Sequence, residues 1–198
     1  MQVQRTGIVI KQFHSMHKVA LFDSQEGRFD AVIKKPMHVG SMIEYSISRR
    51  SGTMVYLDSY SLIDLPFDLA KDDLLFWHHV LELCYYFVPL GSYTPNLFEL
   101  CSFLYTIDIH APLSAHSKKL YLFKLLTTIG LYPRLPQLSL AKMHYFMALD
   151  LHAIAREIVD AQHEQLLDDW LRLCVAQHPA VAKFNTVHYL LAKQGAHE

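Results

Sequence analysis

The hydrophobic period of the chain changes at residues 65–68, and this change limits the possible folds more than any other feature. Before it, short apolar runs of strand length are separated by turn residues, whereas after it apolar residues recur at helical spacing. With 198 residues the chain is long enough for two small domains. We therefore expect an α+β protein, with a β domain over residues 1–66 and an irregular α-helical domain over residues 67–198.

The first part contains five apolar runs, joined by turns that contain glycine or serine. The runs cover residues 7–10, 19–22, 29–33, 42–47 and 54–57. Strands of this length with such turns are typical of a small antiparallel barrel. The dipeptide Ser51–Gly52 predicts a hairpin turn between the fourth and fifth strands.

The second part carries start and stop signals for several helices. Asp68 or Asp72 can cap a first helix that Pro89 and Gly91 end, and Thr94–Pro95 predicts the start of the next. Further helices are expected over residues 117–129, 138–156, 164–176 and 180–193. Because no internal repeat is visible, we expect an irregular bundle and not a solenoid.

Charge is distributed unevenly between the two parts. Residues 1–66 carry eight Lys and Arg against six Asp and Glu, and residues 67–198 carry ten against thirteen. A polyanion would therefore bind the first part. Three isolated cysteines indicate buried free thiols in a reducing compartment. Since no signal peptide or membrane-spanning stretch is recognisable, we expect a cytoplasmic protein that does not bind membranes.

Sequence patterns that indicate catalysis or metal binding are missing. The chain has no H-E-x-x-H, C-x-x-C or G-x-S-x-G motif and no phosphate-binding glycine loop. Its thirteen histidines form no recognisable ligand set. We expect no enzymatic activity, no cofactor and no metal, and we keep a hydrolase that uses Asp and His side chains as an alternative from a different class.

Basic residues stand at the ends of the predicted strands. Lys34–Lys35 follow the third strand, and Arg49–Arg50 precede the hairpin turn, so both pairs would lie where the loops of a barrel meet over a groove. Lys11, Lys18 and Arg28 would join the same end or face if the strands paired in order.

Aromatic residues accompany these cations. Phe13, Phe29 and Tyr45 could provide stacking surfaces for bases while the cations bind phosphates, a combination that suits single-stranded nucleic acid. The alternative is that the charges are solvated and only protect a barrel edge from aggregation.

A helix with a basic edge is expected in the second part. Lys118, Lys119 and Lys124 border an apolar face that contains Phe123, and Tyr132 follows in the next turn. One interpretation is a core helix whose lysine stems lie along apolar surface while their amines reach water. The other is a partner-binding groove that takes an apolar peptide end and pairs its carboxylate with a lysine.

Four segments stand in an order and spacing that can be compared with a known family. They are Thr6-Gly7-Ile8-Val9-Ile10, Leu65-Pro66-Phe67-Asp68-Leu69-Ala70-Lys71, Pro95-Asn96-Leu97-Phe98-Glu99-Leu100 and Tyr121-x-x-x-Leu125-Leu126-x-x-Ile129-Gly130-Leu131-Tyr132-Pro133. Together they resemble the bacterial recombination mediator RecO family of DNA repair proteins over nearly the whole chain.

The resemblance implies an N-terminal five-stranded OB-fold β-barrel followed by a helical domain. It also implies a function without catalysis: binding single- and double-stranded DNA, annealing complementary strands, docking the C-terminal tail of single-strand-binding protein, and helping RecR to load RecA. By position, Lys34 and Lys35 match the basic stretch of the family after the third strand. Lys118 and Lys119 match the start of the helix that flanks the tail-binding pocket.

The chain departs from the family pattern in two places. The basic stretch after the third strand, residues 34–40, contains only two lysines, and residues 134–137 lack the start of the four-cysteine zinc module that many members carry. The shorter stretch predicts weaker DNA binding, and no zinc module is expected. The alternative function is therefore a protein-interaction adaptor of the same fold with weak or no DNA binding.

Overall fold

Strands come first in the chain and helices follow, as the change of hydrophobic period predicts. The computed structural model describes residues 4–14, 17–49, 55–94, 96–107, 112–132, 139–157 and 159–186. It divides into two compact units, Met1–Ile109 and His110–Glu198. Strands give way to helices between Asp64 and Phe67, where the sequence predicts the change, but the first two helices belong to the first unit.

Five strands form the β part of the first unit. They are β1 (Arg5–Gln12), β2 (Lys18–Asp23), β3 (Gly27–Val32), β4 (Met42–Arg49) and β5 (Val55–Asp64). Each overlaps one of the five apolar runs, so the number and positions of the strands are confirmed. Ser51–Gly52 lies outside the described residues, but β4 and β5 pair as an antiparallel hairpin around it.

The five strands close into a barrel in the order β1-β2-β3-β5-β4, with β4 pairing back to β1. The expected five-stranded barrel is confirmed, but it is not purely antiparallel, because β5 lies between β3 and β4 and runs parallel to β3. The segment after β3 is held to β1 instead, where Gly40 N donates to Val9 O at 2.7 Å. Local periodicity identifies strands but carries no information about their partners.

The barrel interior is filled by apolar side chains from all five strands. Its buried cluster contains Val9, Val19, Leu21, Phe29, Ala31, Ile33, Met37, Ile43, Tyr45 and Leu57. The outward side chains Ile8 and Phe22 are also buried, because the first two helices cover this side, where the Phe22 and Phe98 rings lie 6.2 Å apart. Burial on both faces explains why β1 and β2 are continuous apolar runs.

Two helices complete the first unit: α1 (Phe67–Phe87) and α2 (Leu97–Phe103), the latter continued by a short 3₁₀ turn. Neither Asp68 nor Asp72 caps α1, contrary to prediction. The helix begins after Pro66 and is kinked at Asp73, whose side chain accepts a hydrogen bond from Phe76 N at 2.9 Å. Asp73 is thus the N-cap of the longer part of α1, which follows the kink. The N-cap of α2 is Asn96, and Pro95 lies outside the described residues.

The second unit contains α3 (Ala115–Thr128), α4 (Leu140–Ala148), α5 (Leu151–Ile154) and α6 (Ala161–Ala176). The single helix predicted over residues 138–156 is two helices. Leu149 is extended, and Asp150 caps the new helix by accepting from Ala153 N at 2.6 Å. Within the predicted segment 180–193 the structure describes only a 3₁₀ turn, Val181–Lys183, and residues 187–193 lie outside the described part.

The three cysteines are free thiols, as predicted. Cys84 and Cys101 are buried with their sulfurs 3.5 Å apart, and this contact together with burial raises the pKa of Cys84. Cys174 is only half-buried, and its partial burial raises its pKa to about 11. Among the described helices, none is both long and apolar enough to cross a bilayer.

Candidate nucleic-acid interface

Cations and aromatic rings meet where β1 and β2 adjoin the last turns of α1. Lys11 Nζ lies 4.0 Å from the ring centroid of Tyr85 and 5.2 Å from that of Tyr86. The Phe13 ring packs edge-on against Tyr85 with centroids 6.1 Å apart, and Lys18 Nζ lies 4.7 Å from the Phe13 centroid. We call these five residues the cation–aromatic cluster.

The cluster is assembled by the β1–β2 hairpin. Lys11 lies opposite Ala20, and Phe13 N donates to Lys18 O at 3.0 Å, so the turn brings the two lysines to one end of the barrel. The residues Phe13, Tyr85 and Tyr86 are half-buried, and the Tyr85 ring already has Lys11 Nζ and the Arg28 guanidinium carbon within 4.2 Å of its centroid. Aromatic rings beside ammonium groups suit stacking of bases next to bound phosphates.

Lys34 and Lys35 lie at the same barrel end. Ile33 N donates to His17 O at 2.9 Å, so the chain leaves β3 beside the start of β2, and the two lysines follow directly. Both are exposed, and neither forms an ion pair with any residue that the structure describes. The carbonyl of Lys35 accepts a 3.4 Å hydrogen bond from the Tyr60 hydroxyl, which ties this loop to β5.

Cations outnumber acids at this end. Residues 11–18 and 28–35 together carry five Lys and Arg and one carboxylate, Asp30. A second carboxylate, Glu82 of α1, lies near Tyr86, where burial and this negative charge raise the pKa of the tyrosine. Asp30 pairs with the exposed Lys18 at 2.8 Å. The carboxylate of Asp30 is partly buried, with 22% of its side chain exposed, so Lys18 is the exposed partner of this pair.

Arg28 reaches the cation–aromatic cluster through Tyr85 and is bonded to the end of α1. Its Nη1 donates to the carbonyls of Tyr85 and Val88, the second at 2.8 Å, and its guanidinium carbon lies 4.2 Å from the Tyr85 centroid. These are C-terminal carbonyls, which the helix itself leaves without partners. Arg28, which the sequence predicts as a DNA-binding residue, joins the barrel to the end of α1.

The Arg49–Arg50 pair is only partly placed. Arg50 and the side chain of Arg49 lie outside the described residues. The Arg49 backbone pairs with Val55, which pairs with Ala31, so it is two strands, about 10 Å, from the end of β3. The backbone of Arg49 therefore lies at the same end of the barrel as the last residues of β3, which Lys34 follows in the chain.

A cleft of about 370 Å³ lies on the β4–β5 hairpin. It is lined by Gln4, Glu44, Tyr45, Ser46, Ser59, Tyr60 and Ser61. The Ser46 and Ser59 hydroxyls are hydrogen-bonded to each other at 2.8 Å, and Glu44 is the one charged group among these lining residues. A carboxylate without a neighbouring cation in the lining repels phosphate, so this cleft is the less suitable DNA site.

Two aromatic residues predicted as stacking surfaces lie elsewhere. Phe29 and Tyr45 belong to the barrel interior, because their neighbours along the strands point outward and strand side chains alternate. The rings that do meet the lysines, Tyr85 and Tyr86, were not predicted. Their only sequence signal is an aromatic pair near the end of α1, and nothing local links it to Lys11.

In the second unit, Lys119 joins α3 to α6. Its Nζ lies 2.6 Å from Glu164 Oε1 and 2.8 Å from Asp168 Oδ2. Burial opposes the positive charge, but the hydrogen bonds to Asp168 and Glu164 outweigh it and raise the pKa of Lys119. Predicted as a partner-binding residue, Lys119 has its charge compensated within the unit.

The remaining predicted partner-binding residues differ in accessibility. Lys124 donates to the carbonyls of Met147, at 2.9 Å, and Leu149 at the end of α4, and burial lowers its pKa although Asp150 partly offsets this. Phe123, expected to line a groove, is instead fully buried in the core of the unit, between Phe146 and Trp170. Lys118 is half-buried, and Tyr132 is exposed.

The described residues contain no metal-ligand cluster, and two comparisons with known sequences give no match. Within the described part of the chain, no three His, Cys, Asp or Glu side chains come together in a way that could hold a metal ion. Among known proteins, no family model and no curated sequence matches the chain.

Proposed function

We propose that this protein is a DNA-binding recombination mediator of the RecO type that catalyses no reaction. The observation that carries the proposal is the cation–aromatic cluster with Lys34 and Lys35 beside it, all at one end of the barrel. We also propose that the barrel is an OB-fold. A five-stranded closed barrel in which β5 lies between β3 and β4 supports this, since OB-folds are Greek-key barrels that bind oligonucleotides.

The proposed mechanism is binding through the DNA backbone. Lys18, Lys34 and Lys35 contact successive phosphates and displace their counterions, while the half-buried rings of Phe13 and Tyr86 provide the aromatic surface for bases. Because the lysines contact phosphate only, binding is independent of sequence. Base edges stay available for pairing with a complementary strand, which annealing requires.

The helical part would recruit protein partners, the C-terminal tail of single-strand-binding protein and RecR. Of the residues predicted to bind the tail, Tyr132 is the exposed one, whereas Phe123 is buried and Lys119 and Lys124 are bonded within the unit. A labelled tail peptide should bind more weakly to Lys118→Ala and Tyr132→Ala than to the native chain. Equal binding would show that the tail binds to a different surface.

DNA binding is tested by salt dependence. The affinity of the full chain for a labelled single-stranded oligonucleotide is measured at several salt concentrations for the native chain, Lys34→Ala, Lys35→Ala and the double variant. The slope of log K against log salt should fall by about 0.7 for each phosphate contact removed, whatever the base sequence.

Lys71→Ala is the matched control for this experiment. Lys71 is another exposed lysine of the same unit, about 20 Å along α1 from Tyr85. Its removal should leave the slope unchanged. If the double variant keeps the native affinity and slope, the lysines do not bind DNA and the proposal fails.

One observation favours the alternative function, an adaptor of the same fold without useful DNA affinity. Lys18 is paired with Asp30, and Arg28 is bonded to α1, so two of the predicted DNA-binding cations already have partners. A gel shift of labelled single-stranded oligonucleotide at low salt separates the two functions. A complex supports the mediator, and its absence supports the adaptor.

A further inference from the structure

Four large apolar side chains are exposed where β5 runs into α1. Leu62, Ile63, Phe67 and Leu74 are 58%, 51%, 70% and 54% exposed. The turn between the two elements is tight, since Phe67 N donates to Leu65 O at 2.7 Å, which keeps the end of β5 close to the start of α1. Single exposed apolar residues are ordinary, but a concentration of them marks an interaction site.

The same strand has an open edge. β5 pairs with β4 from Val55 to Asp64, with register shifts at Asp58 and Ile63, but with β3 only at Val55 and Tyr56. Among the described strands, none pairs with the other edge of β5 as it continues to Asp64. An edge of this kind can take an extended segment from another protein, which adds one strand to the sheet.

The charge around these side chains is negative. Residues 57–74 carry five Asp and one Lys, although the barrel part as a whole has more bases than acids. Asp64 and Asp68 are exposed and stand next in sequence to Ile63 and Phe67. We call Leu62, Ile63, Asp64, Phe67, Asp68 and Leu74 the junction surface. Its charge excludes a polyanion and is complementary to a basic partner.

We propose that the junction surface docks an extended segment of a partner protein in which apolar residues alternate with Lys or Arg. The segment adds as a strand along the end of β5. Its apolar side chains cover those of the junction surface, and its cations pair with Asp64 and Asp68. This site is independent of the DNA-binding lysines, because it carries the opposite charge and needs a different class of ligand.

The probe is a fluorescein-labelled peptide of about eight residues in which lysine alternates with leucine or valine, a length that covers the far half of β5. Binding to the full chain is measured by anisotropy. Two matched peptides are compared with it: one has glutamate in place of lysine, and one carries N-methyl groups on alternate backbone amides. Both should bind at least about tenfold more weakly, the first through repulsion and the second through lost strand pairing.

Variants locate the site. Leu62→Ser with Ile63→Ser should weaken the basic peptide about tenfold, and Phe67→Ser, at the most exposed position, gives an independent second variant. Asp64→Lys with Asp68→Lys should make the chain prefer the acidic peptide. The control is Leu140→Ser, which removes a 66% exposed leucine from α4 and should change nothing.

Equal binding of the basic and acidic peptides, or unchanged binding by Leu62→Ser with Ile63→Ser and by Phe67→Ser, would overturn the proposal. Oligonucleotide affinity is measured on the same samples and should be native in Leu62→Ser with Ile63→Ser and in Phe67→Ser, which leave the charge unchanged. If the native chain binds the basic peptide but no DNA, the junction surface stands and the proposed function fails.

Discussion

The hydroxyl of Tyr45 donates a hydrogen bond to Asp23 Oδ2 in the barrel, where both residues are almost completely buried. The other carboxylate oxygen accepts from Gln25 N at 2.7 Å and from Glu26 N at 2.6 Å. Burial, together with the hydrogen bond to Asp23, raises the pKa of Tyr45 and so favours the protonated phenol, which is the hydrogen-bond donor. The pair links the end of β2 to the middle of β4 across β1.

Tyr45→Phe should lower the free energy of unfolding by about 2 kcal/mol, because it leaves one oxygen of a buried carboxylate without its donor. Urea unfolding measures the effect, and the slope of free energy against urea should not change. Tyr93→Phe, at an exposed tyrosine of the same unit, is the control and should cost less than about 0.5 kcal/mol. Similar losses in the two variants would show that the Asp23 contact is not what stabilises the barrel.

Gly27→Ala should destabilise the protein far more than Gly91→Ala, although both glycines have nearly the same left-handed backbone, with φ of 75° and 73°. At Gly91 an added Cβ meets nothing within 4 Å, so the cost is the backbone strain alone, about 1 kcal/mol. At Gly27 it would overlap the backbone of Ser92 and lie 2.8 Å from Tyr93 Cα.

The neighbours of Gly27 are backbone atoms that cannot rotate away, so we expect a loss of more than about 3 kcal/mol there. Unfolding midpoints of the two variants in urea give the comparison directly. Equal midpoints would mean that the β2–β3 turn does not approach the chain at residue 92 closely in solution.

The sequence predicts the elements of the barrel better than their arrangement. All five strands follow from short apolar runs between turn residues, which are local signals. The place of β5 beside β3 depends on hydrogen bonds between distant segments, and no local pattern encodes them. The break between α4 and α5 did have a local signal, the cap Asp150, but the continuous helical spacing of apolar residues around it concealed it.

In the candidate site, too, the sequence predicts what depends on local signals and misses contacts between distant segments. Lys34 and Lys35 could be assigned to a strand end because they come directly after β3. Tyr85, which meets Lys11 and Arg28, is more than 50 residues from either in sequence, so this contact is visible only in the fold. Arg28 shows the consequence: its charge suggested DNA binding, whereas its hydrogen bonds to α1 give it a structural role.

Arg28→Ala should therefore lower the stability of the protein and leave DNA binding unchanged. Removing the guanidinium leaves two α1 carbonyls without their donor and should lower the free energy of unfolding by about 2 kcal/mol. Arg28→Lys should recover only part of this, because one ammonium cannot reproduce the planar donor set. The salt slope of oligonucleotide binding, measured under conditions where the variants are folded, should be native. A slope reduced by about 0.7, as for Lys34→Ala, would show that Arg28 contacts phosphate after all.

Lys119→Met should destabilise the second unit by about 2 kcal/mol at neutral pH, because it leaves the buried Asp168 without its cation; partial exposure of Glu164 keeps the loss modest. The raised pKa of Lys119 fixes the pH dependence. The unfolded lysine titrates near 10.5 and the folded one higher, so the stabilisation is complete below 10.5 and is lost as pH rises through the folded pKa. Urea unfolding of the native chain and the variant, followed from neutral to alkaline pH, should show the difference shrinking only above about pH 10.5.

Lys124→Met is the comparison. Burial lowers the pKa of Lys124, so the stability that this lysine contributes changes with pH in the opposite direction. For this lysine the unfolded chain holds the proton more tightly, so the native chain should gain stability relative to the variant as pH approaches 10.5 from below. A double variant, Lys119→Met with Asp168→Asn, should cost less than the sum of the single changes, since the neutral amide no longer needs a cation. If the two losses simply add, or if Lys119→Met and Lys124→Met respond to alkaline pH in the same direction, the ion pair between α3 and α6 does not form in solution.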